Sequence, residues 1–478
     1  MKYFAGAQNT FNLLRAQLDN NIVDILSVPP ENDAREPIAV INARRLYKSC
    51  VDEAGIEADG VEPIFSLVDT EFGGWPILQG PSWDNSTFDL LTLLLNLRKY
   101  NNNLFYRIGT STDEKNSTNY DIEIGQGDLG LGERQYYTSE TNITEAYRRF
   151  MRDLTTALAN NPSWIDNDVD NIFEFEKKIS EYHWTSAEQR IRDNETVRTT
   201  VADLELTLNT TSFNFTDHLR KAYLLGNVTL LDTDIVFVRE LEYLLNVSSI
   251  VNQTSPRTLQ NYMIWRFIMN RVSNMPQQYR IFRDRFERVV RGTSAEPPRT
   301  ILCGQYVNGN MGFAVSKLYI KRYFDSNARN QSFDMINNIQ AAFIDMLNQT
   351  NWMDVESMNK AIEKALGNQT QGEDIADNGG IREAFFAYQK WAKENPNLDK
   401  RLPGLQKYTA EQMFFINYAH TWCTKMTDAY ALSRLLTDEH SLGQFRVIGP
   451  TSNFNEFDRA FACTPGQGNS RKDKCIVW

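Results

Sequence analysis

Apolar residues recur at three- and four-residue intervals in five long stretches, and no other feature narrows the fold as much. DNIFEFEKKISEYHW (170–184), TLQNYMIWRFIMNRV (258–272), SFDMINNIQAAFIDMLNQ (332–349), ESMNKAIEKALG (356–367) and TAEQMFFINYAHTWC (409–423) each form an apolar stripe when wound at 3.6 residues per turn. Several open on Ser, Thr or Asp, whose side chains satisfy the free N–H groups of a helix start. The spacing predicts a mainly α chain. One interruption, LFYRIGTSTDEKNSTNYDIEIGQ (104–126), alternates and turns like a β-hairpin, and the Gly-rich GQGDLGLGERQYY (125–137) reads as a loop. The stripe Met263, Trp265, Phe267 and Met269 reads as core packing.

At 478 residues the chain exceeds the usual size of one domain, so two lobes are expected, with a linear boundary near Gly367 that separates residues 1–366 from 367–478. A content of 41% apolar and 12% aromatic residues excludes a disordered chain, and no apolar run reaches the length of a membrane span. The formal charge of -11 argues against nucleic acid and anionic membrane as partners, because phosphate binding needs clustered Lys and Arg. The basic stretch from Arg280 to Arg291 is interspersed with acids and reads as a solvated helix face.

Sequons for N-glycosylation occur at Asn85, Asn116, Asn142, Asn194, Asn209, Asn214, Asn227, Asn246, Asn252, Asn330, Asn348 and Asn368. They point to an extracellular or cell-surface glycoprotein. The opening MKYFAGAQNTFNLLRAQ nevertheless lacks the basic-then-apolar pattern of a signal peptide or an anchor. Five cysteines, Cys50, Cys303, Cys423, Cys463 and Cys475, leave an odd thiol in an oxidising compartment.

The chemistry concentrates in GNQTQGEDIADNGG (367–380), where Glu373, Asp374 and Asp377 crowd together. On a helix Glu373 and Asp377 stand at i and i+4, where like charges repel unless a cation lies between them. A metal, or a residue bound to one, would account for them. A weak calcium site or simple helix-end charge are the other readings. In LLTDEHSLGQFRVIG, His440 and Arg446 flank a glycine turn, a setting that can hold an imidazole and a guanidinium against a carbonyl or oxyanion, though an isolated loop His is also a common structural residue.

Several enzyme classes are excluded. The histidines, His183, His218, His420 and His440, lie too far apart for His-Glu-x-x-His, and the cysteines too far apart for a paired-Cys zinc site. Neither a nucleophile elbow nor a phosphate-binding glycine loop is present. Glu373 alone cannot hold a catalytic zinc, which needs about three protein ligands.

INARRLYKSC (41–50), YMIWRFIMNRVS (262–273), YVNGNMGFAVSKLY (306–319), NWMD (351–354), GEDIADNGG (372–380), LPGL (402–405), TDEHSLGQFRVIG (437–449) and CIVW (475–478) together resemble the neprilysin and endothelin-converting-enzyme family of zinc metalloendopeptidases. The resemblance runs in the family's order over essentially the whole chain. It implies a two-lobed, mainly helical ectodomain that cleaves small peptides on the amino side of apolar residues and holds one zinc ion. By the same resemblance Glu373 is the third zinc ligand and Asp377 orients a zinc-bound histidine. His440 stabilises the oxyanion, Arg446 grips the substrate backbone, and Arg15 pairs with a substrate carboxylate. Cys50 pairs with Cys303, while Cys423, Cys463 and Cys475 lose their partners.

The departures from the family are large. The Asn-Ala-(Phe/Tyr)-Tyr strand and the His-Glu-x-x-His helix belong between ALG (365–367) and GEDIAD (372–377), where only NQTQ stands, and the family's N-terminal anchor is also missing. The expectation is a truncated catalytic lobe that retains no zinc and does not cleave peptides, as an incomplete product of a peptidase gene. The alternative is a secreted or membrane-associated glycoprotein that binds peptides or proteins. Loss of the block is expected to bare the helix face of Met413, Phe414, Ile416, Tyr418 and Trp422, and self-association through this surface or through free cysteines is expected.

Overall fold

The computed structural model describes residues 7–29, 36–112, 118–159, 163–208, 213–292, 297–349, 373–438 and 440–474. Helices dominate, as the periodicity requires. The chain divides into two compact units, one built from Met1–Val51 with Thr293–Trp478 and the other from Asp52–Gly292. This spatial division falls elsewhere than the linear boundary expected near Gly367, which lies outside the described residues.

The Asp52–Gly292 unit holds the larger core. Its central helix, Pro256–Met269, is buried on every side from Leu259 to Ile268, so Met263, Trp265 and Phe267 fill the interior and only Met269 stays partly exposed. Ser255 caps the start by accepting from the Thr258 N–H, and Pro256 follows at a position that needs no donor. The hairpin expected at 104–126 forms from strands Tyr106–Thr112 and Tyr120–Gln126, registered from Tyr106 opposite Gln126 to Thr112 opposite Tyr120. It belongs to a four-stranded sheet: Ile235–Val238 adds parallel to the second strand, and Val197–Thr200 adds antiparallel at the far edge.

The Gly-rich loop is fastened to a buried charge. Glu176, fully buried, accepts from the Gly130 N–H at 2.8 Å, the hydroxyls of Tyr137, Tyr147 and Tyr262, and Nη1 of Arg266 at 2.9 Å. A Cβ on Gly130 would lie 2.1 Å from the Tyr147 hydroxyl, so the loop reaches the carboxylate only because that residue has no side chain.

In the other unit, Ile22, Ile25, Leu26, Val40, Ala43, Tyr47, Val307, Val315 and Leu318 form one core, bridged by the disulfide between Cys50 and Cys303. A second, mostly aromatic core comprises Ile381, Phe385, Phe415 and Phe454. Strand Ala7–Asn9 pairs antiparallel with Thr424–Met426, which ties the start of the chain to this unit's C-terminal part. The helix expected over 409–423 spans Ala410–Thr421, opened by a capping box between Thr409 and Gln412.

That helix corrects one expectation. Its aromatic face is not bare: Phe414 packs on Phe385 and Tyr388, Tyr418 donates to the Arg446 carbonyl at 2.7 Å, and Trp422 lies under Arg446. Exposed apolar side chains stand instead on the helices Gly312–Tyr323 and Ser326–Gln349, where Phe313 is 98% exposed and Phe333 and Met335 are also open.

Candidate functional site

Glu373 and Asp377 lie one turn apart on helix Glu373–Glu394, which packs against helix Gly443–Ser452 carrying Arg446. That packing delivers the guanidinium to the carboxylate. Arg446 Nε and Nη2 donate to the two oxygens of Asp377, each at 2.7 Å, in a bidentate fork whose side chains are only 12% and 9% exposed. Burial works against the Arg446 charge, but the hydrogen bonds and charge of Asp377, with the charge of Glu373, hold its pKa above the ordinary value. The guanidinium also lies 3.9 Å from the centre of the Trp422 ring. Burial and the Asp377 charge push the Tyr418 hydroxyl upward as well.

Glu373 meets a second group. Its Oε2 lies 3.0 Å from His440 Nε2, while His440 Nδ1 lies 2.9 Å from Asp438 Oδ1. Asp438 also accepts from the His440 backbone N–H at 2.8 Å and pairs with Arg434. Each ring nitrogen of His440 therefore faces a carboxylate oxygen. Asp438 and Arg434 were not singled out by sequence, although Asp two residues before His is the spacing of a side chain that caps a turn.

Glu373, Asp377, His440 and Arg446 thus gather in one site, and Arg15 is bonded elsewhere. Arg15 pairs at 3.1 Å with Asp19, one turn along its own helix, and Asp19 also accepts from Gln305. A cavity of about 380 Å³ in this unit is lined by Tyr388, Gln389, Asp399 and Glu411, none of them in the cluster. Among the described residues no group of three or more His, Cys, Asp or Glu is placed to hold a metal ion. All four histidines are described. His183 bonds to Gln126 and the Gly127 carbonyl, and His218 is buried in the core of the Asp52–Gly292 unit.

Asn85, Asn142, Asn194, Asn214, Asn227, Asn252 and Asn330 are exposed, while Asn246 is half-buried and donates to the Glu242 carbonyl. Asn116, Asn209, Asn368, Cys475 and the side chains of Asn348 and Asp374 lie outside the described residues, as does ESMNKAIEKALG. Cys423, exposed, and Cys463, partly buried, are free thiols.

Two sequence profiles described as Peptidase family M13 match residues 5–368 and 323–477. The chain belongs to peptidase family M13. This M13 chain is 26% identical to mouse (Mus musculus) neprilysin, with 98% of this chain and 86% of that protein aligned, and 24% identical to neprilysin-11 of Caenorhabditis elegans, with 98% and 75% aligned. The alignment with the mouse protein runs over 655 positions, 177 more than the 478 residues here, so the relative carries internal sequence that this M13 chain lacks. The fold is that of the zinc metalloprotease ZMP1 of Mycobacterium tuberculosis, with a TM-score of 0.80 at 18% identity over 97% of this chain and 92% of that one. No described helix is long and apolar enough to cross a membrane.

Proposed function

We propose that this M13 chain is a catalytically silent member of a zinc-metallopeptidase family, an incomplete peptidase product that does not itself hydrolyse peptides. The donor set carries the proposal. Zinc catalysis needs about three protein ligands and an open position for water. Of the ligands that the neprilysin resemblance implies, Glu373 alone remains, and its Oε2 stands against His440. Among the described residues the donor set does not fit a zinc centre. The internal sequence carried by mouse neprilysin and lacking here supports the same reading.

The remaining assignments follow the family and chemistry together. Arg446 and His440 descend from substrate-facing roles, and Arg15 from a carboxylate-pairing role. The exposed sequons and the Cys50–Cys303 bridge support an extracellular or cell-surface glycoprotein. Phe313 and its exposed neighbours favour self-association.

The test is turnover of quenched peptides that carry apolar residues, by the purified chain with micromolar zinc, with and without chelator. No chelator-sensitive cleavage is expected. Chelator-sensitive turnover that disappears in Glu373→Gln overturns the proposal.

A further inference from the structure

We infer that Glu373, Asp377, His440 and Arg446 form a metal-independent polar clasp that fastens helix Glu373–Glu394 to the segment from Arg434 to Ser452. The inference rests on the reading that no zinc is held here, and it assigns these side chains a structural task in its place.

Two arms make the clasp. In the first, Asp377 and Arg446 meet through two 2.7 Å hydrogen bonds, with both side chains nearly buried. Breaking such a pair leaves one charge in a poor dielectric without its counter-charge, so each side chain depends on the other. Trp422 covers the guanidinium face, and Asn453, which caps helix Gly443–Ser452, donates to Asn378 at 3.0 Å and extends the junction by one more contact. In the second arm, Glu373 reaches His440, His440 reaches Asp438, and Asp438 pairs with Arg434. The order of acid, ring, acid and guanidinium places a nitrogen-bearing group beside each carboxylate. The repulsion between Glu373 and Asp377 at i and i+4 is thereby relieved by the Arg446 guanidinium from the neighbouring helix, without a metal ion.

The experiment is hydrogen exchange on the full chain, read over the amides of 373–394, with zinc or with chelator. Equal protection in both conditions is expected. Asp377→Asn and Arg446→Met should each speed exchange about tenfold or more, and the double variant should lose less than the sum of the two. Protection that rises with zinc in the wild-type chain overturns the clasp, as does independent addition of the two variants. If a single variant fails to fold, the same cycle with the milder Asp377→Glu and Arg446→Lys decides. Additive variants in a chain that cleaves no peptide sink the clasp alone, whereas chelator-sensitive cleavage sinks the silent reading and, with it, the clasp that rests on it.

Discussion

Arg446 lies over Trp422, its guanidinium carbon 3.9 Å from the ring centre, and Trp422 in turn meets Phe11 at 5.6 Å. One indole therefore joins the candidate site to the start of the chain, whose strand Ala7–Asn9 pairs with Thr424–Met426 two residues beyond Trp422. Trp422→Ala should cost about 2 kcal/mol in stability, through lost packing and the uncovered guanidinium. It should also speed amide exchange in both strands. Unchanged exchange there would show that the strand pair is anchored by other contacts.

The buried Glu176–Arg266 pair is the strongest electrostatic commitment in the Asp52–Gly292 unit. Arg266 Nη1 also donates to the Asp128 carbonyl at 2.7 Å, so loop, tyrosines and helix share one carboxylate. Glu176→Gln keeps the shape and removes the counter-charge. Denaturant titration should show a loss of about 3–5 kcal/mol in that unit, and a change below about 1 kcal/mol would contradict the account.

His218 gives the same unit a pH dependence. Burial, then the Arg98 charge, lowers its pKa from 6.5 to about 4, against a weaker opposing effect of Asp217. Well above pH 7 neither the folded nor the unfolded histidine is charged, so the group adds no pH slope there. As pH falls through 6.5 the unfolded chain takes up a proton that the folded chain refuses. The contribution of this group should fall between pH 6.5 and 4 and level off below, by about 3 kcal/mol in all. His218→Phe should flatten that slope, and an identical slope in the variant would refute the assignment.

The Cys50–Cys303 bridge closes a loop of 253 residues in sequence separation. Reduction, or Cys303→Ala, should lower the stability of the unit that contains it by about 2–5 kcal/mol. Peptide mapping of secreted material should recover the bridged pair. Recovery of both as free thiols would count against it.

Helical segments were legible because burial on one face writes a 3.6-residue period into the sequence. Pro256–Met269 was legible as core despite apolar residues at i, i+2 and i+4, because a helix buried all round shows no preferred face. The hairpin was readable from its alternation, but its sheet partners Val197–Thr200 and Ile235–Val238 were not, since four residues are too few to show a period. Arg266 and Glu176 looked unremarkable in sequence, for nothing local records that they meet 90 positions apart. At the candidate site, Glu373 and Asp377 stand out as crowded carboxylates and His440 and Arg446 as groups flanking a glycine turn, while their roles come only from family likeness. Their mutual pairing was not legible, because it depends on which helices pack together.

The central claim is that Glu373 no longer serves a metal, and zinc content tests it most directly. After equilibrium dialysis against micromolar zinc, the purified chain should carry far less than one zinc per molecule, and Glu373→Gln should not change that value. One tightly held zinc per chain, lost on substitution of Glu373, would contradict the account.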